Sequence, residues 1–126
     1  MGEFYVAEAG RRLGAQSDPT PVTYEVMVVV GVHTHVADRT LVITIDRPER
    51  RNAVDRSTAD ELHRIFAAFD VDDAHDVAVL TGAGGNFCAG ADLHAIGTGD
   101  GNRVADDPDA PAPLGCTRLL LDKPVI

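Results

Sequence analysis

Between Thr40 and Leu80 the chain spells strand, helix, strand, and few folds accept that order in so short a space. Leu41, Ile43 and Ile45 alternate with Val42 and Thr44, the period-two pattern of a strand with one buried face. Ser57, with Asp60 three residues on and Glu61 after it, has the make-up of a helix N-cap. Leu62, Ile65, Phe66 and Phe69 then recur at helical spacing. Together these predict a helix from Thr58 to Phe69, broken at Asp72-Asp73. Val77 to Leu80 is a short continuous apolar run, the kind found inside parallel sheets. A β-α-β order implies a right-handed crossover and an α/β fold. The expected core is Leu41, Ile43, Ile45, Leu62, Ile65, Phe66, Phe69, Val77, Val79 and Leu80.

The flanks read less regularly. Residues 1–21 mix Gly, Pro, Ser and charge without a period, which predicts a flexible N-terminal extension to a domain spanning 22–126. Tyr24 to Val32 is β-rich and apolar; with His33 to Arg39 as a polar connection, it forms a hairpin with Thr40 to Asp46. Gly97 to Pro113 holds Gly, Asp, Asn, Pro and Ala with little apolar content, and reads as a flexible loop. Leu114 to Leu121 is apolar and predicted helical, and Pro124 begins a further strand.

Chemistry concentrates where the second strand runs out. Val77-Ala78-Val79-Leu80-Thr81-Gly82 leads into a glycine-rich turn and then Phe87-Cys88-Ala89-Gly90-Ala91-Asp92-Leu93, with a small helix predicted from Ala89 to Ile96. A helix N-terminus leaves backbone N–H groups without intrahelical partners. Such groups suit negative charge developing on an oxygen, and small residues let a ligand approach the backbone. The same residues also suit a tight strand-to-helix turn, with Asp92 as a helix cap. Gly82-Ala83-Gly84-Gly85 lacks the Gly-Lys-Ser/Thr ending of a nucleoside-triphosphate loop and the third glycine of a dinucleotide fingerprint. Gly97-Thr98-Gly99-Asp100-Gly101 follows a helix, the wrong context for either.

Charge and residue usage exclude several classes. The formal net charge of −9 argues against a nucleic-acid partner and against a polybasic membrane-surface site. No apolar run approaches the length of a membrane span. Two cysteines, Cys88 and Cys116, make no disulfide framework, which favours a reducing, cytoplasmic setting. His33 and His35 share a strand face at a chelating spacing, but no acidic or cysteine partner sits at ligand spacing, so no metal site is expected. His63, His75 and His94 read as surface residues, and Cys88 as packing. Arg47, Arg50 and Arg51 are the one dense basic cluster near the turn; solvated turn and phosphate contact are equally compatible with it.

Three stretches resemble one family. Arg47-Pro48-Glu49-Arg50-Arg51-Asn52-Ala53-Val54 is similar to the RPE(K/R)xNA(L/M) motif of the enoyl-CoA hydratase/isomerase, or crotonase, family. Gly85 to Leu93 resembles that family's xxFCAGADL element, and Arg118 to Ile126 resembles the KPVIAAV stretch that leads into the next core strand. The resemblance implies an incomplete crotonase-like core of the ClpP/crotonase type, built as a spiral of ββα turns. It implies that the Ala91 backbone N–H is the first of two oxyanion-hole donors to a thioester oxygen. It places Ala89, Gly90, Asp92 and Leu93 along the same element, Ala53 and Val54 beside the coenzyme A chain, and Arg50 and Arg51 near its phosphates. The coenzyme A thioester is then the substrate, with no separate cofactor; members of the family are trimers or hexamers, and the resemblance leaves the oligomeric state of this chain open.

By the same resemblance, the second donor and the acid/base carboxylates would lie past Ile126. The expectation is therefore an acyl-CoA-binding chain, a hydratase or isomerase when complete, and inactive alone. The resemblance does not choose among hydratase, isomerase, hydrolase and related reactions. Two other classes stay open: a non-catalytic remnant or assembly partner of a crotonase, and a small α/β anion-binding module.

Overall fold

The computed structural model describes residues 6–7, 24–25, 31–111 and 113–126. Of the expected N-terminal extension over 1–21 only residues 6–7 are described, and residues 26–30 of the expected strand lie outside the described residues. Strand β1 (Val6–Ala7) pairs antiparallel with β2 (Tyr24–Glu25). The main sheet holds β3 (Val32–Ala37), β4 (Thr40–Ile45) and β5 (Val77–Gly82), in that order. Helix α1 (Arg56–Val71) connects β4 to β5, and α2 (Leu93–Thr98) follows the glycine-rich turn.

The hairpin is shifted from its expected place. His33 to Ala37 is strand, not connection: β3 pairs with β4 from Val32↔Ile45 to Ala37↔Thr40, leaving Asp38-Arg39 as a two-residue turn. Asp38 takes φ 55, a left-handed conformation that Asp tolerates better than most residues. Polar His33 and His35 hide the strand in the sequence because they face away from the core. Val32 and Thr34 occupy the core-facing alternate positions, buried and half-buried. Arg39 ties the turn to the approach to β5, with Nε and Nη2 each 2.6 Å from the Asp76 carboxylate and Nη2 donating to the Asp73 carbonyl at 2.9 Å.

Helix α1 forms as predicted but runs longer at both ends. Its N-cap is Asp55, whose Oδ1 accepts the Thr58 N–H at 2.9 Å; Ser57 lies in the first turn and donates its hydroxyl to the same oxygen. The stripe Ala59, Leu62, Ile65, Phe66 and Phe69 is buried against Leu41, Ile43 and Ile45 of β4 and Val32 of β3. Lys123 Nζ caps the other end, donating to the carbonyls of Phe69, Asp72 and His75.

β5 runs parallel to β4 with Leu41↔Ala78 and Ile43↔Leu80. That register turns Ala78 and Leu80 toward α1 and sets Val77 and Val79 on the opposite face, so those two valines are not part of the helix-side core. A run that is apolar at every position does not declare its inner face; the ladder does. Ala78 is fully buried. Replacing it with Asp would put an unpaired charge there, and Ala78→Asp should abolish cooperative urea unfolding, whereas Val79→Asp should leave a folded, weakened protein. Equal loss in both variants would refute the facing.

Past α2 the chain returns to the core without a helix. Residues 114–118 form turns, with Leu114 at φ 56 and Gly115 at φ 75, so the expected helix over Leu114–Leu121 is not formed. These left-handed residues break helical continuation yet let Leu114, Cys116, Leu119 and Leu121 pack on the core cluster. The chain then reaches the free edge of β5. The Ala78 N–H donates to the Pro124 carbonyl, the Ile126 N–H to the Ala78 carbonyl, and the Leu80 N–H to the Ile126 carbonyl, at 2.9–3.1 Å. This is the expected strand beginning at Pro124, parallel to β5. Among the described residues no helix is long and apolar enough to cross a membrane.

Candidate functional site

The two sequence motifs meet at the C-terminal end of the parallel pair. Gly82 ends β5, and residues 83–92 curl back over the turn that follows β4. Asn52 joins them. It is fully buried at φ 57, its Nδ2 donates to the carbonyls of Ala83 and Asn86 at 2.8 Å each, and its Oδ1 accepts the Arg47 N–H at 2.9 Å. The approach is close enough that a side chain at Gly82 would lie 2.1 Å from the Phe87 carbonyl oxygen.

Further along, the segments form one parallel bridge, Val54↔Ala91. The Val54 N–H donates to the Gly90 carbonyl at 2.8 Å and the Asp92 N–H donates to the Val54 carbonyl at 2.9 Å. In a parallel bridge the residue between those two groups points its own N–H the other way. The Ala91 N–H is thus directed away from Val54, and no described residue accepts it.

The reason this N–H is left unpaired differs from the expected one. α2 begins at Leu93, not Ala89, and its first free N–H groups, those of His94 and Ala95, are taken by Asp92 Oδ1 at 3.1 Å each. Ala91 lies before the helix, aimed by the bridge and not by helix geometry. Asp92 is buried and caps α2, and its other oxygen lies 3.0 Å from Arg47 Nη2. Its carboxyl is held below the usual range, first by the Ala95 N–H and then, against burial, by the hydrogen bond and charge of Arg47 and the charge of Arg50. Burial pushes the Asp55 carboxyl up, but the Thr58 N–H, the Ser57 hydroxyl and the Arg47 charge outweigh it and leave it lowered. Both groups are therefore carboxylates at neutral pH, with no tendency to hold a proton.

The remaining predicted residues divide by exposure. Arg50 and Arg51 are exposed, and Arg51, at φ 51, gives its carbonyl to the Ala89 N–H at 3.0 Å. Ala89 and Leu93 are exposed on the turn, as is Phe87. Gly90, half-buried at φ 93, donates its N–H to Cys88 Sγ at 3.3 Å. Ala53 and Val54 are buried and their backbone groups bond within the chain: the Ala53 carbonyl accepts from Arg47 Nη1, and the Val54 carbonyl also accepts from Asn102 Nδ2. Asn102 is buried and also takes the Leu114 N–H, so the chain after α2 is tied at Asn102 both to Val54 and to Leu114.

Sequence reasoning missed Arg47, Asn52 and Asn102 as the residues that assemble the turn. Asn52 carried a local signal, an Asn in a polar turn where a left-handed backbone is easiest; Arg47 stood in the family motif, but its hold on Asp92 and the hold of Asn102 on Val54 had no local sign, because those partners lie 45 and 48 residues away. Two histidines also depart from their surface assignment: His63 Nδ1 lies 3.0 Å from the Gly115 carbonyl and His75 Nδ1 lies 2.6 Å from Asp72 Oδ2. His94 is exposed. Two recesses, one of about 270 Å³ beside His63 and Arg118 and one of about 340 Å³ beside Asp55 and Asp100, do not include Ala91.

The comparisons with known proteins converge on one family. The family model described as enoyl-CoA hydratase/isomerase matches residues 36–121. The mevalonyl-coenzyme A hydratase of Aspergillus fumigatus is 37% identical over 86 residues, covering 68% of this chain and 32% of that protein. The carnitinyl-CoA dehydratase of Proteus mirabilis is 40% identical over 99 residues, covering 75% and 36%. Among solved structures, an enoyl-CoA hydratase from Mycobacterium marinum superposes with a TM-score of 0.66 at 38% identity, over 75% of this chain and 36% of that one. The chain thus spans about a third of the length of the relatives it matches.

Proposed function

Because the chain belongs to the enoyl-CoA hydratase/isomerase family, we propose that its turn binds an acyl-CoA and that the Ala91 N–H donates to the thioester oxygen. The observation that carries this reading is the direction of that N–H, turned away from Val54 by the bridge with no acceptor among the described residues. When a proton leaves the α-carbon of a thioester, or water adds beyond it, negative charge grows on the carbonyl oxygen. A fixed N–H aimed at that oxygen stabilises the charged state more than the ground state; one such donor is worth roughly 2.7–4 kcal/mol. In this reading Arg50 and Arg51 meet the coenzyme's phosphates, supported by their exposure, and exposed Phe87 and Leu93 give the turn an apolar rim. Ala53 and Val54 are buried with their backbone groups engaged within the chain, so in this reading they support the turn beneath the ligand.

The relatives are named for mevalonyl-CoA, carnitinyl-CoA and enoyl-CoA, which differ in the acyl part and share the thioester. Reversible addition of water next to that thioester is accordingly the reaction we assign to the complete site. Proton transfer is not supplied at this turn: the carboxylates beside Ala91, Asp55 and Asp92, are each taken up by a helix cap and an ion pair with Arg47. The 126 residues should therefore bind and polarise a thioester without hydrating it.

The test is an amide NMR titration with crotonyl-CoA, with free coenzyme A as control. Crotonyl-CoA should move the Ala91 amide proton downfield while the enoyl-thioester absorbance stays constant, and Ala91→Pro, which has no N–H, should remove the difference between the two ligands. Equal responses to both ligands, confined to Arg50 and Arg51, would overturn the reading in favour of a simple anion-binding module. Loss of enoyl absorbance would show that these residues complete the reaction unaided.

A further inference from the structure

We propose that Arg47 is the positioning residue for the Ala91 N–H, acting through the two helix-capping carboxylates on either side of the bridge. The role rests on the thioester reading above. The Val54↔Ala91 bridge is a single pair. The Ala89 N–H to Arg51 carbonyl bond and the Asn52 amide tie the two segments ahead of the bridge; past it, the tilt of the Ala91 peptide, which decides where its N–H points, is set by the groups that follow.

The residue after each bridged residue is an aspartate, Asp55 after Val54 and Asp92 after Ala91. Each divides its carboxylate in the same way. Asp55 gives Oδ1 to the Thr58 N–H of α1 and Oδ2 to Arg47; Asp92 gives Oδ1 to the His94 and Ala95 N–H groups of α2 and Oδ2 to Arg47. Both Oδ2 atoms lie 3.0 Å from the same nitrogen, Arg47 Nη2. Nη1 reaches the Ala53 carbonyl on the near side of the bridge. One guanidinium thus grips both segments just past their crossing and one of them just before it.

Arg47 is itself held. Its N–H donates to Asn52 Oδ1, its carbonyl accepts the Arg50 and Asn52 N–H groups, and its side chain is 15% exposed. A planar fork with fixed donor directions can make these three contacts at once. The ammonium of a lysine, a point charge on a flexible stem, keeps the charge but not that geometry. Without any cation, two carboxylate oxygens no more than about 6 Å apart would repel. Arg47→Lys therefore separates aiming from neutralisation.

The experiment compares the 126-residue chain with its Arg47→Lys variant by amide exchange, and by the 13C shift of crotonyl-CoA labelled at the thioester carbonyl. In the variant, the Val54 and Asp92 amides, which make the bridge, should exchange roughly tenfold faster or more. The Ile43 and Leu62 amides of the core should keep their rates, and the carbonyl shift on binding should fall by about half or more. Unchanged bridge amides with an unchanged carbonyl shift would overturn the proposal. So would loosening that is equal in bridge and core, since that is general destabilisation. If Arg47→Lys does not fold, Asp92→Asn carries the same test, because it retains an oxygen for the α2 cap and loses the ion pair. A carbonyl that does not shift in the unaltered chain would sink the thioester reading, and the bridge amides would still decide what Arg47 holds.

Discussion

Asn52→Ala should lose about 3–5 kcal/mol of stability in urea unfolding, a large fraction of what a domain of this size possesses. The side chain is fully buried and makes three hydrogen bonds, to the Arg47 N–H and to the carbonyls of Ala83 and Asn86. Truncation leaves those three backbone groups without partners, each costing about 1–3 kcal/mol less whatever water can recover. Alanine is also strained at φ 57, where asparagine is tolerated. Asn52→Asp is the sharper variant. It preserves shape and the acceptor for Arg47 but places an oxygen against two carbonyl oxygens, so it should destabilise as much as alanine. Near-native stability for Asn52→Asp would show that the amide does not join the two segments.

Gly115→Ala should be as damaging at the opposite side of α1. A β-carbon there would lie 1.8 Å from the Ala59 carbonyl oxygen, and the residue has φ 75. The obstacle is helix backbone, which cannot rotate aside, so either α1 or the 113–118 turn must move. Overpacking of that kind costs typically 1–3 kcal/mol or more, and the left-handed backbone adds about 1 kcal/mol. We expect a combined loss above roughly 3 kcal/mol, with Leu114, Cys116 and Leu119 no longer fixed on the core. Gly97→Ala, in α2, is the control: its β-carbon meets nothing within 4 Å. It should be neutral or stabilising by about 0.5–1 kcal/mol, as alanine is in a helix. Similar midpoints for Gly115→Ala and the unaltered chain would contradict the packing of the turn on α1.

Both variants act at contacts between segments far apart in sequence, and that marks where sequence reasoning stopped. The alternation in Thr40–Asp46, the helical spacing from Leu62 to Phe69 and the apolar run at Val77 announce their elements because each pattern is complete within one element. The motifs around Asn52 and Ala91 could be placed on the turns that carry them for the same reason. Other features had no local determinant. Asp55 and Ser57 are both good N-caps, and the choice fell to Asp55 because the Val54 bridge holds the preceding backbone extended. Val77, Ala78, Val79 and Leu80 could turn either face inward until pairing with β4 set the register. Leu114 to Leu121 has helical composition, but packing on α1 required a left-handed pair at Leu114-Gly115.

The sequence by itself determined the order β-α-β, the glycine-rich turn after β5, the family motifs and the small residues around Ala91. Only the tertiary structure decided why the Ala91 N–H is free. A short helix start was the local explanation; the actual cause is a one-pair bridge to Val54, steadied by an arginine whose acidic partners lie 8 and 45 residues away. The reason is physical: propensity and periodicity act over one or two turns of chain, whereas the direction of a backbone N–H in an irregular turn is set by whatever distant group satisfies its neighbours.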